Sequence, residues 1–133
     1  MTVKKKILLI DDDADFCRLL QSVARGFNFD LSSVGTVREA KQEIVRQKYD
    51  AFIVDGYLRD GSGVDIIAWM NKRIGSNHLL AFVSSGFHTT PYFKGIQDDL
   101  NINFILTKPL AKKDITDLFS KLTRKAHIEK DHN

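Results

Sequence analysis

Apolar residues gather into five short runs, separated by longer segments in which they recur every three or four positions. The runs are "KILLI" (6–10), "FDLSSV" (29–34), "AFIV" (51–54), "LLAFVS" (79–84) and "NFIL" (103–106). Four of them are almost continuously apolar, as strands covered on both faces are. Between the runs, Phe16, Leu19, Leu20, Val23 and Phe27 fall at i, i+3, i+4, i+7 and i+11, which predicts one apolar stripe on a helix. Ile115, Leu118, Phe119 and Leu122 repeat that spacing near the C-terminus. Helix starts are legible too: Thr36 with Glu39 and Ser62 with Asp65 read as capping pairs, and Pro91 after Thr90 suits a first helical position. Ala111 is a poor cap for the fifth helix. Strand and helix alternate five times, so the pattern predicts an α/β fold, a doubly wound parallel sheet with helices on both faces and right-handed crossovers.

In such sheets ligands collect outside the carboxyl ends of the strands. The residues expected there are Asp11 to Asp13, Asp55, Ser84 or Ser85, and Thr107 to Pro109. The stretch "KKKILLIDDDADF" is the most demanding of these, because aspartates crowded at a strand end repel and raise one another's pKa unless something compensates them. Carboxylates, a hydroxyl and an ammonium arriving from four strands form a site rather than a turn. Oxygen donors suit a hard cation, Mg²⁺ in particular. A lysine and a serine beside them can receive an oxyanion, the arrangement that phosphoryl transfer by positioning and electrostatics requires. Asp55, alone at its strand end, is the natural nucleophile.

Composition narrows the picture. A chain of 133 residues, 43% of them hydrophobic, suits one domain, expected over residues 1–126 with a polar tail at 127–133, "HIEKDHN". No apolar run approaches the ~20 residues that span a bilayer, and the N-terminus lacks a signal-peptide pattern, so a cytoplasmic protein without membrane attachment is expected. Cys17 is alone, which excludes an internal disulfide and a thiolate zinc site, and reads as a half-buried helical thiol. The net charge of +3 hides acids at 11–15 and bases at Lys4 to Lys6 and from Lys112 to Lys130; this is no nucleic-acid footprint, and no direct nucleic-acid binding is expected.

Four motifs, "LLIDDD", "AFIVDGYLRDGSG", "FVSSG" and "ILTKP", stand in this order from about Lys4 to Arg124. With them the chain resembles the receiver domain of two-component response regulators, of flavodoxin-like fold and strand order 2-1-3-4-5. The resemblance implies that Asp55 is the phosphoacceptor, taking its phosphoryl group from a sensor histidine kinase or a histidine phosphotransfer protein. It implies a regulator that catalyses only its own phosphorylation and dephosphorylation. Mg²⁺, with Mn²⁺ as a substitute, would be held by Asp12 directly, Asp11 through water, Asp55 and the backbone carbonyl of Tyr57, while Asp13 caps the first helix. Lys108 would pair with Asp55 at rest and with phosphoryl oxygens afterwards, and Pro109 implies a cis peptide bond. Ser85, followed by Gly86 and lying at the family's distance from Asp55, is preferred to Ser84 as the hydroxyl. Ser85 and Ile105 take the switch positions, so that phosphorylation repacks the surface of the fourth helix, fifth strand and fifth helix. That surface would control an unidentified downstream protein or a phosphorylation-dependent homodimer.

The chain departs from the family pattern in places. Arg59 replaces a common proline, leaving a more mobile or differently shaped loop, although Gly63 is kept. Ile105 stands where an aromatic residue is usual, with Phe104 beside it. Tyr57 and Phe87 border the site, and their bulk implies a phosphoryl group that is not among the shortest lived. Trp69 reads as partly buried on the third helix. Competing readings are a degenerate receiver that only docks partners and a haloacid dehalogenase-like phosphohydrolase built on "DDD"; the latter lacks the Thr or Val expected after the pair and room for a cap domain. If the chain is complete it resembles stand-alone receivers; a piece of a longer regulator or hybrid kinase would look the same. The basic residues Lys112, Lys113, Lys121, Arg124 and Lys125 suit an acidic partner or simple solvation.

Overall fold

The structure, a computed structural model, describes residues 4–86 and 89–131, with side chains as far as Arg124. Its elements run β1 (Lys5–Ile10), α1 (Ala14–Gly26), β2 (Phe29–Val34), α2 (Val37–Arg46), β3 (Ala51–Asp55), β4 (Tyr57–Leu58), β5 (Gly61–Ser62), α3 (Gly63–Ile74), β6 (Leu79–Ser84), α4 (Pro91–Ile96), a 3₁₀ turn (Asp98–Leu100), β7 (Phe104–Thr107) and α5 (Lys112–Asp131). Five strands pair in parallel in the order β2-β1-β3-β6-β7, which is the predicted 2-1-3-4-5 once the small antiparallel hairpin β4–β5 is set aside. α5 continues to Asp131, so the segment from His127 expected as a tail begins within this helix.

The strand order explains the burial. Central β1, β3 and β6 bury residues on both faces, whereas β2 lies at an edge and is largely open, with Asp30, Ser32 and Ser33 exposed. β7, at the other edge, is only half-buried despite its apolar sequence. On one face Leu8, Phe52, Val54, Leu80 and Phe82 pack against α2, α3 and α4 through Ile44, Ile67, Met70 and Phe93. On the other, Ile7, Leu9, Ile53, Ala81 and Val83 pack against α1 and α5 through Leu20, Val23, Leu118 and Phe119. Each fully buried Ile, Leu or Phe contributes about 1.5–3 kcal/mol of apolar transfer. Leu19 sits at the margin of the α1 stripe, 37% exposed, while Phe27 closes it by stacking on Phe119 at 5.9 Å.

The helix starts follow the predicted caps. Asp13, Thr36, Ser62 and Thr90 precede α1, α2, α3 and α4, and each side chain accepts N–H bonds from the first turn. At Ala111, which has no side chain for the task, Asp114 reaches back and accepts the Ala111 N–H at 2.9 Å. Trp69 is half-buried against the α2–α3 side, with the Lys41 ammonium 5.5 Å from its ring centre.

Glu43 ties the end of α2 to the approach to β3. It accepts from Arg46, from Gln47 at 2.7 Å and from the Tyr49 hydroxyl at 2.8 Å, and these bonds, Arg46 first, hold its carboxyl at about 2. A carboxyl depressed on folding stabilises the fold fully above its ordinary value of 4.5 and loses that contribution as pH falls towards 2. Water around Arg46 screens the pair. Glu43→Gln is therefore expected to cost about 1 kcal/mol in urea unfolding at pH 7 and almost nothing near pH 2.

Candidate functional site

Strand parity builds the site. Leu9 pairs with Ile53, Ile53 with Ala81 and Ala81 with Phe104, and all four belong to the α1–α5 side of the sheet. Side chains two residues on keep that face. They are Asp11, Asp55, Val83 and Leu106, and two further along the last two strands stand Ser85 and Lys108. Ser84, of opposite parity, is fully buried, and its hydroxyl accepts the Gly86 N–H at 3.1 Å. Ser85 is exposed and lines, with Lys108, Phe16, Leu19 and Pro109, a cavity of about 450 Å³.

Lys108 Nζ lies 3.0 Å from Asp11 Oδ2 and 3.4 Å from Asp55 Oδ2. The expected pairing with Asp55 is present, but Asp11 is the nearer partner. The ammonium also sits 5.1 Å from the centre of the Phe16 ring. Burial pushes the Asp55 carboxyl up, the Asp11 charge adds to this, and Lys108 opposes both. For Lys108 burial disfavours the ammonium, yet the bond and charge of Asp11, with Asp55 behind them, outweigh it and raise its pKa. Asp11 Oδ1 accepts the Asp13 N–H at 2.9 Å, and Asp55 Oδ1 the Tyr57 N–H at 3.4 Å.

One oxygen each from Asp11, Asp12 and Asp55 lie within 4.8 Å of one another. Asp11 and Asp55 are buried and Asp12 is open to solvent, so the set offers hard oxygen donors with room for water, which fits Mg²⁺. Asp13 is not part of this cluster: its Oδ1 accepts the N–H groups of Asp15 and Phe16 at the start of α1. That removes the second acid on which a dehalogenase-like D-x-D reading depends.

Of the two readings that Arg59 left open, a more mobile or a differently shaped loop, the structure describes the shape. The loop after Asp55 is the β4–β5 hairpin, with Tyr57 opposite Ser62 and Leu58 opposite Gly61, closed where the Gly63 N–H donates to the Gly56 carbonyl at 3.0 Å. Tyr57 is 59% exposed at the mouth of the site. Phe87 lies outside the described residues. The Lys108–Pro109 bond is cis. Ile105, beside Phe82 in β7, is half-buried against the α2–α4 side, away from the acidic cluster. Cys17 is half-buried, and burial first among several influences raises its pKa.

The family model for the response regulator receiver domain matches residues 7–120. The chain belongs to this family. Among relatives, the receiver domain is 31% identical over 114 residues to the DNA-binding response regulator MtrA of Mycobacterium bovis, covering 86% of this chain and 48% of MtrA. It is 31% identical over 70 residues to the response regulator protein PilR of Pseudomonas aeruginosa, covering 53% of this chain and 16% of PilR. The chain thus spans half or less of the length of these relatives. A CheY-like receiver domain protein from Methanospirillum hungatei superposes with a TM-score of 0.84 at 16% identity, covering 98% of this chain and 100% of that one, and shares the fold. Receiver domains are phosphoacceptor regulators of two-component signalling rather than conventional enzymes; they generally bind Mg²⁺ at an acidic pocket and meet histidine kinases or phosphotransfer proteins and downstream effectors. No helix among the described residues is long and apolar enough to cross a membrane.

One residue that sequence reasoning did not single out is Asp60, whose carboxylate bonds to the start of α2. Its only sequence signal is an acid before Gly61 in "LRDGSG", because its partners lie 23 and 22 residues away. Gly63, by contrast, has a steric reason: a Cβ there would stand 2.0 Å from the Asp55 carbonyl oxygen. Gly63→Ala should force the end of β3 and the start of α3 apart and cost about 2–4 kcal/mol, read as a fall in the urea midpoint.

Proposed function

We propose that this receiver domain is a phosphorylation switch in which Asp55 accepts a phosphoryl group from a phosphohistidine of a sensor kinase or phosphotransfer protein. As an Asp55 oxygen bonds to phosphorus, the phosphorus–nitrogen bond breaks and its electron pair leaves with the imidazole, giving an acyl phosphate. The observation that carries this reading is the convergence of Asp11 and Asp55, at 3.0 and 3.4 Å, on the Lys108 ammonium, at the carboxyl ends of three parallel strands. Mg²⁺, or Mn²⁺, held by Asp11, Asp12, Asp55 and the Tyr57 carbonyl, would neutralise charge on the phosphoryl oxygens. Lys108 would pair with the phosphoryl oxygens, and the Ser85 hydroxyl would hydrogen-bond one of them.

That bond would pull the segment after β6 inwards, where Gly86 takes a positive φ of 127°. Phe82, in β6, stacks on Phe93 of α4 at 5.0 Å and pairs across the sheet with Ile105, so the movement has a packed route to the surface of α4, β7 and α5. A groove of about 570 Å³ on that surface, lined by Phe104, Leu106, Leu110, Asp114, Leu118 and Lys121, is the contact expected for a downstream protein or a second phosphorylated copy. The domain is taken as 1–126, in a cytoplasmic protein.

Intact mass after incubation with Mg²⁺ and acetyl phosphate tests the reading. One added phosphoryl group is expected, absent without Mg²⁺ and absent in Asp55→Asn. Phosphorylation that persists in Asp55→Asn would move the acceptor elsewhere, and none in the unaltered protein, even from a histidine phosphodonor, would leave the docking module.

A further inference from the structure

The turn of the β4–β5 hairpin is hydrogen-bonded to the start of α2, a helix more than twenty residues away in sequence, through the Asp60 side chain. In α2 the N–H groups of Val37, Arg38 and Glu39 precede any intrahelical carbonyl partner. Thr36 Oγ1 accepts that of Glu39 at 3.0 Å. The other two go to Asp60: Oδ1 accepts the Val37 N–H at 2.7 Å and Oδ2 the Arg38 N–H at 3.2 Å. The Val37 bond, first among these influences, holds the Asp60 carboxyl below its ordinary value, as a carboxylate at the positive end of a helix should be.

The tether is close as well as polar. A Cβ on Gly61 would come 2.8 Å from Val37 Cγ2, so the backbone of the hairpin turn rests against the first residue of α2. From there two rungs lead back to the site. Gly61 stands opposite Leu58 and Ser62 opposite Tyr57, whose N–H reaches Asp55 Oδ1 at 3.4 Å. Arg59, unlike a proline, places no covalent limit on φ in this turn, and the Asp60 bonds to Val37 and Arg38 restrain it beside the hairpin's own pairing.

We propose that Asp60 is a positioning residue for the cation pocket: by clamping the hairpin turn to the start of α2, it holds the Tyr57 carbonyl and the Asp55 carboxylate in place for Mg²⁺. The inference rests on the Mg²⁺ site proposed above. It makes the start of α2 an outer support of the pocket, coupled to it through backbone pairing rather than through contact with the ion.

The test is a Mg²⁺ titration of the whole chain, followed through the amide resonances of the hairpin, on the unaltered protein, Asp60→Ala, Asp60→Asn and Thr36→Ala. Outer partners of metal ligands commonly matter by about 10- to 100-fold; for an exposed tether, Asp60→Ala should weaken Mg²⁺ binding about three- to tenfold. Hydrogen-exchange protection at the Val37 and Arg38 amides should fall with it. Asp60→Asn, which keeps a carbonyl acceptor, should lie between. Thr36→Ala weakens the same helix start without touching the hairpin, and should bind Mg²⁺ as the unaltered protein does. Unchanged Mg²⁺ affinity in Asp60→Ala, or an equal loss in Thr36→Ala, would overturn the positioning role. An unaltered protein that takes up no Mg²⁺ would overturn the pocket itself, a result distinct from one in which it binds and Asp60→Ala matches it.

Discussion

Two carboxylates at the ends of adjacent buried strands need a cation, and Lys108 supplies one. Asp11 and Asp55 lie close enough that, with an effective dielectric of about 20, their repulsion amounts to roughly 3–4 kcal/mol. The ammonium bridging them at 3.0 and 3.4 Å offsets that repulsion across three strands, and ring contact with Phe16 covers its outer side. The remaining imbalance, two buried negative charges and an exposed Asp12 against one positive charge, makes the pocket receptive to a divalent ion. The doubly wound sheet serves this end by bringing Asp11, Asp55 and Lys108 from the carboxyl ends of β1, β3 and β7 to the same face.

Much of this was legible in the chain. The five apolar runs gave the strands because central parallel strands are buried on both faces, and the clustered aspartates marked the strand ends because like charges so placed need a partner. Ser85 was preferred to Ser84 only through the family's spacing and the glycine that follows it. The two serines alternate faces, and only the register of β3 against β6 tells which of those faces bears Asp55. The preference of Lys108 for Asp11 was equally hidden, since both acids end adjacent strands and the difference is a matter of tenths of an ångström.

The loop after Asp55 was the least legible region. Arg59 left a more mobile or a differently shaped loop open, because a proline would have restrained the backbone directly. The chain reaches order by another route, a two-rung hairpin whose turn is bound to α2 by Asp60. Contacts over such separations leave no local periodicity. The half-burial of β7 was also invisible, because an edge strand and a central one can share an apolar sequence and differ only in strand order.

The titration of the Asp55 carboxyl, followed by its side-chain carbon resonance in metal-free protein and in Lys108→Met, tests the electrostatic account most directly. Burial and Asp11 should place its midpoint above the usual aspartate value of about 3.9. Removing Lys108 should raise it further, because the one opposing charge is gone. An Asp55 that titrates at or below the usual value, or whose midpoint does not move in Lys108→Met, would contradict the claim that this ammonium holds the pocket together.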